Sequence, residues 1–401
     1  MASPGKALII VENLTVPIDR RVWKEALTLR EAGYQVTVIS PAVKGYDTPY
    51  EELEGIHVYR HPLPLEAGTT GARGYLHEYS MALWWEWRLA RKVYRQHGFD
   101  IIHACNPPDL LFLVALWFKL LHRTRFIFDH HDLAPELYES KFNRRGLFFQ
   151  MLLLCERLTF VFADKVISVN ESYKEIAVGR GHKRPQDVHV VRNGPDLDLF
   201  RPVQPEPIYK HGRRFMVGYV GLMGEFDGVD HLLRAAHHLI KTQGREDIQF
   251  CLIGSGPMFK ALNTLTDEMG IRPYVEFTGP GRISDTELVK RLCTCDVCVD
   301  PDPLNALNDK STMTKIMEYM ALARPIVQYD LREGRRSAGD ASLYAAPNQV
   351  EDLAAKIAMV LEDPEAAQRM GAIGLQRVHD ALAWKHQAPC LIEAYRDALS
   401  H

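Results

Sequence analysis

The sequence predicts two α/β domains, each a largely parallel sheet covered by helices. Three observations carry this expectation. Short apolar runs of strand length alternate with amphipathic stretches of helix length along the whole chain. At 401 residues the chain exceeds what one ordinary core organises. Midway, Pro195, Pro202, Pro205 and Pro207 punctuate a segment with little periodicity, the composition of an interdomain joint.

In the first half the strand-like runs are 7–11, 35–40, 57–60, 101–104, 126–129, 165–169 and 188–191. Helical stretches fall between them at 20–32, 76–96, 109–121, 146–162 and 172–178. The second series has strands at 216–220, 249–253, 275–278, 297–300 and 325–329, with helices at 230–241, 258–269, 285–293 and 311–323. The expected boundaries are a first domain over 1–195, a linker over 196–212, a second domain over 213–378, and a C-terminal helix over 379–401 that can cross back to the first domain. Two α/β halves around a joint imply a central cleft, where ligands of such sheets bind.

Lys and Arg number 48 against 51 Asp and Glu, a net charge of −3, so bulk charge gives no reason to expect nucleic acid as a partner. Seven unevenly spaced cysteines form no disulfide framework, which fits a reducing, cytoplasmic compartment. Cys293, Cys295 and Cys298 resemble a metal site, but they straddle a helix end and a strand start with no histidine beside them. Buried core thiols are the expectation there, and the cluster calls for no metal or other cofactor. No signal peptide precedes the first strand. The longest apolar run, 110–118, stops at Lys119, short of the about 20 residues a membrane span takes. A soluble protein, or one peripheral to a membrane, follows.

The most informative stretch is 308–321. Read as a helix beginning at a Ser311/Thr312 cap and ending before Arg324-Pro325, it puts Ser311, Lys315 and Glu318 on one face. Met313, Ile316, Met317 and Met320 share the other, which suits a core. The polar face offers unpaired N–H groups at a positive dipole end, Lys310 and Lys315 nearby, and a carboxylate further along. A diphosphate followed by a hydroxylated group such as ribose matches that arrangement.

Further motifs stand in a fixed order. Arg20-Arg21-Val22-Trp23-Lys24-Glu25-Ala26 precedes Gly33-Tyr34-Gln35-Val36-Thr37-Val38. Asp129-His130-His131-Asp132-Leu133, Arg192-Asn193-Gly194-Pro195-Asp196, Ile253-Gly254-Ser255-Gly256-Pro257 and Phe277-Thr278-Gly279 follow, and the helix ending in Glu318 closes the series. With these the chain resembles the GT-B-fold glycosyltransferases of family 4, a retaining group that uses nucleotide sugars without a metal. The resemblance implies two Rossmann-like domains facing a cleft, a UDP- or GDP-type sugar as donor, and a glycan, lipid-linked or small-molecule acceptor. A polysaccharide or lipid-linked precursor is the commonest context; a natural product is open, and the oligomeric state is not implied. Two departures mark a variant branch. Lys310 stands where the family has a glutamate eight residues before the one matching Glu318. The loop from Gly221 to Gly228 supplies neither the Arg nor the Lys usual after the second domain's first strand.

The resemblance implies roles for single residues. Lys315 and Lys310 are assigned to the diphosphate in place of the missing cations, against a reading as solvated surface lysines, and Glu318 to the ribose hydroxyls. Asp309, Ser311 and Thr312 lie at the helix start on the donor side. Gly221-Leu222-Met223-Gly224 reads as a phosphate-approach loop, and Gly279-Pro280-Gly281-Arg282-Ile283 as the nucleobase segment, recognised through main chain. His131 is the contact to the transferred sugar, so His131, Glu318 and Lys315 form the catalytic set. His130 beside it is separated from that role by one residue. Asp132 and Glu136 orient the histidine or meet the acceptor. Arg20 and Arg21 open a helix near the cleft mouth and could hold an anionic acceptor, although cations at a helix start are unfavourable without a partner. Asn106 is a further acceptor-side position. No nucleophile is assigned; departure and attack on one face is favoured over a covalent intermediate. An epimerase and a silent sugar-nucleotide-binding subunit are the alternatives. Finally, Trp84, Trp85 and Trp87 beside Arg88, Arg91, Lys92 and Arg95 read either as a core helix with a cationic outer face or as a helix lying on an anionic membrane.

Overall fold

The computed structural model describes residues 4–62, 72–281 and 283–400, and of 72–79 the backbone alone. The chain divides into two compact units: Met1–Asn193 with Gln387–His401, and Gly194–His386.

The first unit runs β1 (Lys6–Val11), α1 (Arg20–Glu31), β2 (Gln35–Pro41), β3 (Tyr50–Leu53), β4 (Ile56–His61), α2 (Ala72–Gln96) and β5 (Ile101–Cys105). It continues through α3 (Phe112–His122), β6 (Arg125–His130), α4 (Ala134–Phe142), α5 (Leu147–Phe162), β7 (Lys165–Ser168), α6 (Glu171–Gly179) and β8 (Val188–Val190). Its eight strands lie in the order β3-β4-β2-β1-β5-β6-β7-β8, parallel except for β3. Ile10 pairs with Ile39 on one side and Ala104 on the other, so the strand order reverses at β1. Helices cover both faces of the central strands β1, β5, β6 and β7, which are buried almost throughout and so read as unbroken apolar runs. Asp19 starts α1 by accepting from the N–H groups of Arg21 and Val22 at 3.1 and 3.0 Å.

The second unit runs β9 (Phe215–Val220), α7 (Val229–His237), β10 (Ile248–Ile253), α8 (Phe259–Glu268), β11 (Val275–Phe277), α9 (Asp285–Thr294), β12 (Val297–Asp300) and α10 (Thr314–Ala321). Then come β13 (Ile326–Tyr329), α11 (Arg332–Ala338), β14 (Ser342–Ala345), α12 (Val350–Glu362) and α13 (Pro364–Arg377), before α14 (Trp384–Leu399). Its six parallel strands lie in the order β11-β10-β9-β12-β13-β14 and reverse at β9. In such sheets ligands gather beyond the carboxyl ends of the strands at the reversal. For the two units those ends are the residues after β1 and β5, and after β9 and β12.

Two expectations change. The helix read over 311–323 begins three residues later, at Thr314, with Met313 at its cap and no side-chain cap bond. The cause is a tight turn upstream, where Asn305 Oδ1 accepts from the N–H groups of Leu307 and Asn308 at 2.9 and 2.8 Å. Ser311 is drawn into that turn, its hydroxyl donating to the Leu307 carbonyl instead of capping α10. The C-terminal helix begins at Trp384 and not at 379, after a turn of π-helix over Val378–Leu382.

Candidate active site

In the first unit the functional side chains gather beyond β1, β5 and β6. Arg21 is 6% exposed and its donors are engaged inside the protein. Nη2 meets Asp129 at 3.1 Å and Glu25 at 3.0 Å, Nη1 donates to the Val191 carbonyl at 2.9 Å, and Nε faces His131 Nε2 at 2.9 Å. The helix-start argument therefore resolves differently from expectation: Arg21 has partners, and it is an internal cation, not an acceptor ligand. Arg20, first residue of α1, is half-buried beside it.

His131 Nε2 also stands 2.5 Å from Asp129 Oδ2. One ring nitrogen serves one of these two contacts, and the shorter, to a carboxylate, makes Nε2 the donor to Asp129. Burial works against the charge of Asp129, yet Arg21, His131 and His103 hold its carboxyl well below the usual range. Burial likewise lowers His131, but Asp129 more than compensates and its imidazole sits above the ordinary value. Behind them His103 Nε2 is 3.2 Å from Asp129, and its Nδ1 is 2.8 Å from the Tyr395 hydroxyl of α14. Glu25 is pushed up to about 7 by burial, tempered by Arg21. The His131 side chain keeps 16% exposure, so an imidazole braced by a carboxylate presents an accessible edge to a hydroxylated ligand.

The neighbouring assignments are corrected by their partners. Asn106 is 3% exposed and spends its whole amide on the chain. Its Oδ1 accepts from the N–H groups of His131 and Asp132 at 2.6 and 3.1 Å, while Nδ2 donates to Asp109 and to the Asp132 carbonyl at 2.8 and 2.7 Å. It clamps the turn that carries His131 and is not placed for an acceptor. Glu136 is buried in a two-pronged pair with Arg180 at 2.9 and 3.1 Å, and Arg180 also grips Glu156. His130 points into the core among Phe128, Phe160 and Tyr173, its ring lowered to about 3 by burial and by Arg180. Asp132 is half-buried and raised by burial.

Among the described residues, two groups bring metal-type donors together: Glu25, His103, Cys105 and Asp129; and Glu12, His61 and Glu86. The first already contains the Arg21 guanidinium, which answers its negative charge. The second lies at the carboxyl ends of β1 and β4, with His61 Nε2 2.9 Å from Glu12 and the Glu86 carboxyl raised well above its ordinary range by burial and by Glu12. The thiols Cys293, Cys295 and Cys298 are free and buried.

In the second unit Lys315 departs most from expectation. It is 8% exposed, with Nζ 2.9 Å from Asp300, 2.5 Å from Asp302 and 4.9 Å from the centre of the Tyr219 ring. Burial alone would lower its ammonium, but Asp300 and Asp302 hold it well above the lysine range. A solvent-facing cation for a diphosphate is thereby replaced by a buried ion cluster. The Asp302 carboxyl is raised well above its usual range by burial and by Asp300, with Lys315 acting against them. Glu318 follows one turn along, half-buried. Lys310 Nζ donates to the Ala306 carbonyl at 2.9 Å, and the Asp309 carboxylate accepts from the Arg332 N–H at 3.0 Å.

The glycine loops have a packing reason. A Cβ on Gly254 would lie 2.0 Å from the Gly221 carbonyl oxygen, one on Gly256 2.6 Å from that of Met223, and one on Gly279 2.6 Å from that of Gly254. Backbone stacks on backbone where β9, β10 and β11 end. Met223 is fully buried and its N–H donates to the Ser255 carbonyl, so its side chain is core and not donor contact. Leu222 is 60% exposed, and the Gly224 N–H is held by Asp227 at 2.8 Å. Pro280 and Gly281 are exposed and Ile283 is half-buried; Arg282 lies outside the described residues. At the end of β11 the Thr278 hydroxyl is buried with no hydrogen-bond partner, a position the sequence reading passed over. Asp300 and Asp302 were also missed. Their signal is an Asp-Pro-Asp-Pro run at a strand's carboxyl end.

Two family descriptions match the chain: a glycosyl transferase 4-like domain over residues 18–194 and a glycosyl transferases group 1 domain over 214–363. The chain is similar to the alpha-maltose-1-phosphate synthase of Mycolicibacterium smegmatis, 26% identical over 69% of this chain and 74% of that protein. It is also similar to the MMP alpha-(1->4)-mannosyltransferase of Mycolicibacterium hassiacum, 24% identical over 93% of this chain and 92% of the relative. Among solved structures, sucrose-phosphate synthase from Thermosynechococcus elongatus superposes with a TM-score of 0.81 at 19% identity, covering 98% and 99% of the two chains. Anabaena HepE, in complex with UDP and glucose, gives 0.74 at 17%, again over 98% and 99%. At these identities the structural likeness shows the fold.

Proposed function

This chain belongs to the GT4-type glycosyltransferases of GT-B fold, and on that premise we propose that it moves a hexosyl unit, with retention and without a metal, from a UDP- or GDP-type sugar to an acceptor hydroxyl. The observation that carries the reading is α10, which starts without a side-chain cap and holds Glu318 one turn beyond Lys315. A departing nucleoside diphosphate gains negative charge, so fixed N–H groups favour the transition state over the ground state. The first-turn N–H groups of Thr314 and Lys315, with Lys310 as the side-chain cation, take the diphosphate. Glu318 takes the ribose hydroxyls, and the Thr278 hydroxyl with the main chain of 279–281 takes the base. His131, braced by Asp129 and Arg21, contacts the transferred sugar. In the step itself the bond from the anomeric carbon to the β-phosphate oxygen breaks. The acceptor oxygen bonds to that carbon on the same face, and its proton passes to the departing phosphate oxygen. A glycan or a lipid-linked precursor met at a membrane surface is the acceptor class the reading favours, in a cytoplasmic protein.

The test is a thermal-shift panel of UDP, GDP, ADP and dTDP followed by the matching sugars. A nucleotide at a hundredfold excess over its Kd stabilises by about 2.7 kcal/mol. One nucleotide standing out, sugar transfer with the donor's anomeric configuration kept, and activity unaffected by EDTA support the proposal. No stabilisation by any nucleotide and no donor turnover sink it.

A further inference from the structure

Half of the large apolar side chains that stand exposed among the described residues belong to three consecutive helices of the first unit, α3, α4 and α5. On α5, Leu147, Met151, Leu154 and Val161 share one face at 100° per residue and are 91%, 47%, 54% and 59% exposed. On α3, Leu120 and Leu121 are 73% and 62% exposed. The two helices adjoin, with Phe112 stacked on Phe162 at 5.7 Å and Lys119 donating to the Phe162 carbonyl. The α5 stripe alone runs the length of its helix, and contiguous apolar surface of that kind is rarely left to water by a monomeric soluble protein.

Charge identifies what covers it. Neither α3 nor α5 exposes a carboxylate; the one acid, Glu156, is buried against Arg180. The turn from α4 into α5, residues 141–148, is exposed throughout and carries Lys141, Arg144 and Arg145 among Phe142, Leu147 and Phe148. Of these cations Arg145 pairs with Glu139 at 2.8 Å. Beside α3, Trp117 meets Trp87 of α2 edge-on at 5.9 Å, and Arg91 lies over both rings. That contact borders a groove of about 590 Å³ lined by Trp84, Arg88, Lys92 and Arg95. Apolar stripes edged with cations and aromatic rings are what sit at a charged lipid interface. A second copy of this chain would bring cation against cation, since an isologous contact repeats each patch on itself.

We propose that α3, α5 and the 141–148 turn seat this protein on an anionic bilayer, with Leu147 and its stripe entering the acyl boundary and the basic residues meeting the headgroups. The α2 tryptophans flank this face and do not lead it. The proposal deepens the membrane-surface part of the reading above, and its test needs neither donor nor acceptor, so either can fail alone. The full chain is sedimented with sucrose-loaded vesicles of phosphatidylcholine, with and without 30% phosphatidylglycerol. Binding is expected to the anionic vesicles and to fall with salt. Lys141→Gln with Arg144→Gln should cut partitioning roughly thirtyfold, about fivefold per charge. Leu147→Asp with Met151→Asp should abolish it with an unchanged melting temperature, since both side chains are already exposed, whereas Trp84→Ala should cost under threefold. Absent vesicle binding by the wild type, or undiminished binding by the Leu147/Met151 variant, overturns the proposal. So does a self-association that this variant removes while no vesicles are bound.

Discussion

Replacing Lys315 by methionine separates a structural cation from a diphosphate ligand. Methionine keeps the stem and removes the charge that lies 2.9 Å from Asp300 and 2.5 Å from Asp302. Breaking one side of a buried ion pair costs about 3–5 kcal/mol, because the other side is left in a poorly solvated place. For a unit of this size each kcal/mol moves the transition by about 2–4 °C, so the melting temperature should fall by roughly 6–20 °C. The cluster also predicts which second changes repair the first. Asp300 and Asp302 both meet the ammonium, so removing either carboxylate lessens the negative charge left behind. Lys315→Met with Asp300→Asn and Lys315→Met with Asp302→Asn should therefore each regain stability over Lys315→Met alone. Scanning calorimetry on the four proteins reads this directly, with nucleotide affinity measured alongside. A Lys315→Met protein that melts within 2 °C of the wild type and has lost only turnover would refute the buried-cluster reasoning and return Lys315 to the phosphates.

Three further outcomes follow from the geometry. Asn106→Ala should lower both stability and turnover, since four hydrogen bonds hold the turn of His131. A loss of about 2–4 kcal/mol in urea unfolding is expected, and a variant with normal turnover would show that the clamp is not needed. Asp109 is pushed up to about 7, first by burial and then by Glu156. Unfolded, it ionises near 4, so between about pH 4 and 7 the folded state holds a proton the unfolded state has lost. That contribution is complete below pH 4 and disappears as pH rises to 7, at most about 4 kcal/mol. Asp109→Asn should therefore flatten the fall in stability across that window, measured by urea unfolding at pH 5 and 7.5, and an unchanged slope would contradict it. Glu318→Ala should weaken nucleotide binding at least tenfold at unchanged melting temperature, since the side chain is half-buried on a helix otherwise fixed by its apolar face; equal affinity by calorimetry would remove its ribose role.

The strands were legible because parallel sheets covered on both faces need unbroken apolar runs, and 7–11 or 101–104 can be little else. β3 was not: Tyr50–Leu53 is an edge strand carrying Glu51 and Glu52, with the alternating exposure of a surface segment. The start of α10 was misread because the deciding residue is Asn305, whose side chain folds the chain back before Ser311 can cap anything. Site legibility divides in the same way. Residue types and strand ends carry into space, so the places of His131 just after β6 and of Glu318 on α10 could be read. Pairing does not carry, because the partners of Arg21 include Glu25 four residues along and Asp129 more than a hundred away.

This difference bears on how a diphosphate can be held at all. Lys315 meets Asp300 and Asp302 at 2.9 and 2.5 Å, so its charge is answered inside the cluster. A cation so answered offers a phosphate no surplus positive charge. The attraction must then come from groups whose partial charge no side chain cancels, and the first N–H groups of α10 are such a set, since Met313 offers them no cap. Lys310 and the absence of Arg and Lys from residues 221–228 thus belong together. A carboxylate at 310 would have added negative charge beside this helix start, with no Arg or Lys in the 221–228 loop to offset it. Lys310 instead puts an ammonium there, donating to the Ala306 carbonyl from the turn that leads into the helix.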